Sequence, residues 1–145
     1  SQVGDVSRFK NAVLLTPTER EARLALGNYE DGLVVLAEAL RIKTNARNIV
    51  ITLGAEGLLI HAADHEKTQW LTDRLPTLNT APKDTAGAGD CLLVCSAMAL
   101  ALERPIWESL YLGSVAAACQ VGRIGNIPIT AEELLIETQK KNWIY

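Results

Sequence analysis

Between Asp84 and Leu102 the chain reads DTAGAGDCLLVCSAMALAL, so a run of small residues between two carboxylates passes directly into a long apolar stretch. Leu92, Val94, Cys95, Met98, Ala99 and Leu102 recur at spacings that fill one helical face, with alanines packed between them. This predicts a buried helix that begins within GAGD. The first N–H groups of a helix lack internal partners, and the peptide dipoles sum there to about half a positive charge. A loop of small residues entering such a helix is therefore a natural anion site, and Gly87 and Gly89 let the backbone take conformations that a Cβ forbids.

Asp90 falls in the first turn, beside whatever anion binds. A carboxylate there can accept the proton of an attacking hydroxyl while the helix end neutralises charge on a transferring phosphoryl group. Asp84 and Asp90 equally suit the capping of a turn and a helix, and the local pattern leaves both readings open.

At 145 residues with 48% hydrophobic content, the chain suits one domain with a core of its own. A formal charge of −3 offers no basic footprint, which disfavours nucleic-acid binding but leaves room for a local nucleotide site. The longest apolar run, 91–102, is too short to span a bilayer, and no signal peptide opens the chain, so no membrane role and a cytoplasmic location are expected. Cys91, Cys95 and Cys119 are odd in number and match no zinc or redox spacing, which predicts buried free thiols. His61 and His65 stand four residues apart around Asp64, a spacing that suits a metal, but HAADHEK reads as an exposed, solvated hairpin turn.

Along the chain, NAVLLTP (11–17) reads as a buried strand stopped by Pro17, and TEREARLALG as a short helix ended by Gly27. A second helix is predicted over 31–45. NIVITLG (48–54) and GLLIHA (57–62) are strand-like, and a polar turn precedes TQWLTD. Helices follow over about 87–102 and 106–122, then the GNIPIT loop and an amphipathic helix from about 130. A strand, helix, strand order with continuous apolar strands predicts an α/β fold with a mainly parallel sheet flanked by helices.

Three segments in this order, LLTPTEREA, VITLGAEGLLI and DTAGAGDCLL, resemble the carbohydrate kinases of the ribokinase family, also called the phosphofructokinase-B superfamily. The resemblance runs from about Gly4 to Leu135 and corresponds to the C-terminal half of their three-layer fold. It implies ATP-dependent phosphorylation of a sugar or sugar-phosphate hydroxyl. Asp90 matches the family's catalytic base, and Ala86, Gly87, Ala88 and Gly89 match the anion hole that stabilises the transferring phosphoryl. Thr52, Gly54, Glu56 and Gly57 match the strand turn that meets ATP, although a structural turn explains those glycines equally well by themselves.

At TERE the family usually has Asn-x-x-Glu. Glu21 is retained, for Mg²⁺ held through water, while Thr18 replaces Asn. Asp84 resembles a position that contributes in many members to a monovalent-cation (K⁺) site, with loop carbonyls near Arg123 and Gly125; its alternative role is turn capping. The AAACQVG helix and GNIP loop are expected to wall the adenine site, with Ser114 near the nucleotide. GDVSRFKNAVLLTPTEREA and LPTLNTAPKDTAGAGD are most similar to the heptose-phosphate kinases within the family.

The sugar-selecting half and its lid belong to the N-terminal half of such kinases and have no counterpart among these residues. The expected partners are therefore ATP, a sugar or sugar phosphate, and a complementing N-terminal half or a second copy across the open sheet edge of NAVLLTP. The isolated chain is expected to turn over little sugar. A P-loop kinase is set aside because no GK[ST] occurs, and a dinucleotide-dependent dehydrogenase because no G-x-G-x-x-G follows the first strand. The remaining alternative is a nucleotide-binding or interaction module without turnover.

Overall fold

A computed structural model describes residues 4–63, 69–125 and 127–140, and the chain divides into two compact units, Ser1–Pro76 and Thr77–Tyr145. In the first, segment 11–18 runs extended and meets its neighbour in parallel through two bridges, Leu15 with Ile49 and Thr18 with Thr52. Leu15 N–H donates to Asn48 O at 3.0 Å, Val50 N–H to Leu15 O at 2.9 Å and Thr52 N–H to Pro17 O at 2.9 Å. Helix α1 (Glu19–Leu26) follows at once, because Thr18 and Glu21 close a capping box. Gly27 ends it in the left-handed region at φ 64°, returning its N–H to the carbonyls of Arg23 and Leu24.

Helix α2 (Leu33–Thr44) ends similarly at Asn45, φ 54°. It buries Leu36, Ala37, Leu40 and Thr44, one stripe at helical spacing. That stripe packs on Leu15, Ala22, Ala46, Ile49, Ile51 and Leu59 to form the core of this unit. Truncating a fully buried leucine such as Leu40 to alanine costs about 2–5 kcal/mol in a core of this kind.

Strands β1 (Asn48–Thr52), β2 (Leu58–Ala63) and β3 (Trp70–Leu75) form a sheet in that order, and both pairings are antiparallel. The expected mainly parallel sheet is corrected in this respect: among the described residues, parallel pairing is confined to segment 11–18 against β1. The reason is chain length. Residues 53–57 alone join β1 to β2, whereas a parallel crossover needs roughly a dozen or more residues.

His61 is also corrected. It lies within β2, 4% exposed, rather than in a solvated turn. Its Nε2 is 2.9 Å from Glu38 Oε2 and its Nδ1 2.7 Å from Thr72 Oγ1. The ring stacks on Trp70 with centroids 5.2 Å apart, and the Arg41 guanidinium lies 4.3 Å from the centre of the same indole while pairing with Glu38. The polar residues 64–68, with Asp64 and His65, lie outside the described residues; Ala63 faces Trp70 on either side of them, as a hairpin requires.

The second unit holds α3 (Ala88–Ala101), α4 (Ile106–Val121) and α5 (Ala131–Lys140). Leu92, Ser96 and Ala99 of α3 are buried, and Gly113 of α4 lets the two helices approach closely: a Cβ there would strike Ser96 Oγ and come within 2.7 Å of Leu92 O. The predicted apolar face of α3 is divided. Val94, Met98 and Leu102 are 54%, 63% and 76% exposed, because the seam with α4 runs along the i, i+4, i+7 row of Leu92, Ser96 and Ala99 instead. Cys91, Cys95 and Cys119 are half-buried and in no disulfide among the described residues, and burial pushes the Cys91 and Cys95 thiols up. Among the described residues no helix is long and apolar enough to cross a membrane.

Candidate functional site

The start of α3 is where sequence and geometry meet. Gly87 is its N-cap in the left-handed region, φ 77°, a conformation in which a side chain is strained. Ala88 N–H donates to Thr85 O at 3.3 Å and Cys91 N–H to Gly87 O at 2.9 Å. Among the described residues no acceptor takes the N–H groups of Gly87, Gly89 or Asp90. These donors project from the helix end with the positive end of the dipole. Open space surrounds the position where Gly89 would carry a Cβ, and the Asp90 carboxylate is exposed in the same turn. The structure therefore brings the N–H groups of Gly87, Gly89 and Asp90 together beside one exposed carboxylate, while those of Ala86 and Ala88 are taken by Asp84 Oδ1 and Thr85 O.

The loop leading into α3 is held from two sides. Asp84 Oδ1 accepts from Ala86 N–H at 2.9 Å, and its Oδ2 from Gly125 N–H at 3.1 Å. These two backbone bonds, that from Ala86 foremost, hold its carboxyl below the usual carboxylate range. Asp84 thus performs the turn-capping role and also ties the loop to residue 125. Gln120 of α4, 1% exposed, reaches the same two residues from the other side. Its Nε2 lies 3.5 Å from both Ala86 O and Gly125 O, and its Oε1 accepts from the Cys91 thiol at 3.9 Å. Sequence reasoning missed Gln120; its signal was a lone amide in the otherwise small and apolar AAACQVG.

Ser114 is buried in α4 and its hydroxyl donates to Leu110 O at 2.8 Å, so its hydrogen is committed to the helix backbone. The groove of this unit is instead formed by α4, α5 and residues 78–80, with a volume of about 650 Å³ and walls that include Leu78, Asn79, Ala118, Arg123 and Ile136. Arg123 pairs with Glu133 at 3.0 Å, and Glu133 closes a second Thr-x-x-Glu box with Thr130 at the start of α5.

The remaining predicted residues lie in the first unit. Thr18 and Glu21 cap α1, with Glu21 Oε2 accepting from Thr18 N–H at 2.9 Å and from its hydroxyl at 3.0 Å. The bridge from Thr18 to Thr52 sets this cap beside the end of β1. Thr52 ends that strand, and Gly54 and Glu56 form an exposed 3₁₀ turn with Gly54 at φ 60°. Gly57, φ 91°, is buried against the end of β3: a Cβ there would collide with Leu75 O and lie 2.7 Å from the Pro76 carbonyl carbon. Packing alone accounts for Gly57; Gly54 faces open space. Among the described residues no group of three or more His, Cys, Asp or Glu converges as a metal site.

Residues 5–133 match the sequence model of the pfkB family carbohydrate kinases. The chain is 33% identical over 133 residues to the bifunctional protein HldE of Wolinella succinogenes, covering 90% of this chain and 27% of that protein. It superposes on ribokinase from Thermotoga maritima with a TM-score of 0.74 at 26% identity, over 88% of this chain and 42% of the other. Phosphofructokinase-2 from Escherichia coli in complex with potassium gives 0.75 at 18% identity, over 92% and 42%. The chain thus spans about a quarter of the length of the curated relatives it matches and shares the ribokinase-like fold over that span.

Proposed function

The chain belongs to the pfkB family of carbohydrate kinases, and on that premise we propose that it supplies the nucleotide-binding and catalytic portion of an ATP-dependent kinase acting on a sugar or sugar-phosphate hydroxyl. The observation that carries this reading is the start of α3. There, backbone donors of Gly87, Gly89 and Asp90 that meet no acceptor among the described residues share one helix end with the exposed Asp90 carboxylate. Phosphoryl transfer asks for these two things: preorganised donors where charge develops on the transferring group, and a base for the attacking hydroxyl. The helix end and the amides of Gly87, Gly89 and Asp90 serve the first, and the Asp90 carboxylate serves the second.

The groove along α4 and α5 suits the adenine, because Leu78, Ala118 and Ile136 offer apolar walls to a flat base. Consecutive residues link it to the anion site: Cys119 lines the groove while Gln120 reaches Ala86. The family resemblance assigns Thr52, Gly54, Glu56 and Gly57 of the first unit to the strand turn that meets ATP. Magnesium supplies charge neutralisation on the phosphates. It would keep several waters and need few protein oxygens, and the family resemblance assigns Glu21 to hold it through water. A sugar phosphate is the acceptor class that the resemblance to heptose-phosphate kinases favours, and a complementing N-terminal half would hold it.

Calorimetric titration with Mg²⁺-ATP tests the binding step: measurable heat is expected, and none at millimolar nucleotide in a folded sample excludes the site. In a kinase that carries this sequence and phosphorylates a sugar, Asp90→Asn preserves shape and removes the base. Its kcat is expected to fall about a hundredfold or more while nucleotide affinity changes much less. A near-normal kcat excludes Asp90 as the base, and nucleotide binding without turnover in the unsubstituted protein supports the module without catalysis.

A further inference from the structure

The two tethers of the loop before α3 act on the same pair of residues with opposite polarity. Asp84 accepts the N–H groups of Ala86 and Gly125, and Gln120 donates to the carbonyls of Ala86 and Gly125. A monovalent cation in this position would need those carbonyls and the Asp84 carboxylate as its oxygen ligands. The residues present do not fit it. The Gln120 amide nitrogen lies 3.5 Å from each carbonyl and donates to both, so it competes for the oxygens that a cation would need as ligands. Gln120 is 1% exposed, so this amide is built into the packing of α4 rather than resting on the surface. Its Oε1 accepts from the Cys91 thiol at 3.9 Å.

We propose that Gln120 is a positioning residue that does internally what a bound potassium ion would do, so that the loop carrying Ala86–Gly89 is set without a cation. One neutral amide crosslinks the two loop carbonyls, and Asp84 closes the ring through the two amides. The backbone donors at the start of α3 are then preorganised whatever the ionic composition of the solvent. The consequence for catalysis rests on the proposed kinase function, but the cation independence of the loop does not.

The experiment therefore reads cation response by melting temperature, with no nucleotide present, in potassium chloride and in tetramethylammonium chloride at equal ionic strength. The unsubstituted chain is expected to melt at the same temperature in both. Gln120→Ala removes the crosslink and is expected to melt roughly 3–6 °C lower in tetramethylammonium, with most of the loss recovered saturably by potassium. Gln120→Glu keeps the side-chain size but replaces the donor by a carboxylate facing two carbonyls, so it is expected to show the larger potassium response; it serves as the second variant if Gln120→Ala fails to fold. A saturable potassium response in the unsubstituted chain overturns the proposal. Potassium indifference of the folded variants overturns it equally. Nucleotide titration of the same samples reports separately on the kinase reading, since absence of binding there leaves the melting result unaffected.

Discussion

His61 shows how one side chain's environment sets a measurable response. Its imidazole is buried between Glu38, Thr72 and the Trp70 ring, and Glu38 in turn takes both arms of Arg41. The Arg41 hydrogen bonds, opposed by partial burial and aided by the His61 bond, pull Glu38 down from 4.5 to about 2. A carboxyl whose folded value is depressed stabilises the fold fully above its unfolded value and loses that contribution as pH falls through its folded value. Glu38→Gln is therefore expected to lower the melting temperature by a constant amount above about pH 5, with the gap to the unsubstituted chain closing between about pH 4.5 and pH 2. Thermal melts across that range check it, and a gap that does not change with pH removes Glu38 from the account.

At the scale of elements, the two Thr-x-x-Glu boxes explain why α1 and α5 begin where they do, and the first bears on function. Thr18 stands where the family usually carries Asn, and both residues accept a hydrogen bond as N-caps, so the exchange keeps the helix start intact. Glu21 then has a structural task in the cap and a proposed one at Mg²⁺, which substitution can separate. Glu21→Gln retains the box and is expected to leave urea stability nearly unchanged while weakening the Mg²⁺ dependence of nucleotide affinity. Thr18→Ala loses the cap and is expected to cost about 1 kcal/mol in the same urea titration. Unchanged Mg²⁺ dependence in Glu21→Gln confines that residue to capping.

At the scale of the molecule, two exposed features offer association surface. Segment 11–18 pairs with β1 along one side, and among the described residues the backbone groups of Leu14 and Thr16 take no hydrogen bond. In the second unit Val94, Met98 and Leu102 stand exposed along α3. Unpaired strand edges and contiguous apolar surface both recruit a second surface. The 145-residue chain is expected to associate reversibly at micromolar concentration in sedimentation experiments, and Val13→Lys, at the exposed edge, is expected to reduce that association without altering the core. A monomer at all concentrations, before and after the substitution, rules out the edge as a contact.

Local chemistry determined most of the elements. Gly27 and Asn45 end α1 and α2, the Thr18 box starts the first of them, and the small residues of DTAGAGD place the start of α3 and the carboxylate of Asp90 in its first turn. These are effects of neighbours within four residues, so the sequence carries them directly. The β1–β2 hairpin was legible too, in the short link 53–57, but strand hydrophobicity pointed to a parallel sheet because burial on both faces looks the same in either direction. What tertiary structure alone decided is where distant polar groups meet. Ser114 became a packing residue, His61 a buried partner of Glu38, and Gln120 a crosslink between Ala86 and Gly125. Each outcome depends on which side of a helix or strand faces its neighbour, and that is settled by packing over the whole unit rather than by the identity of the residue.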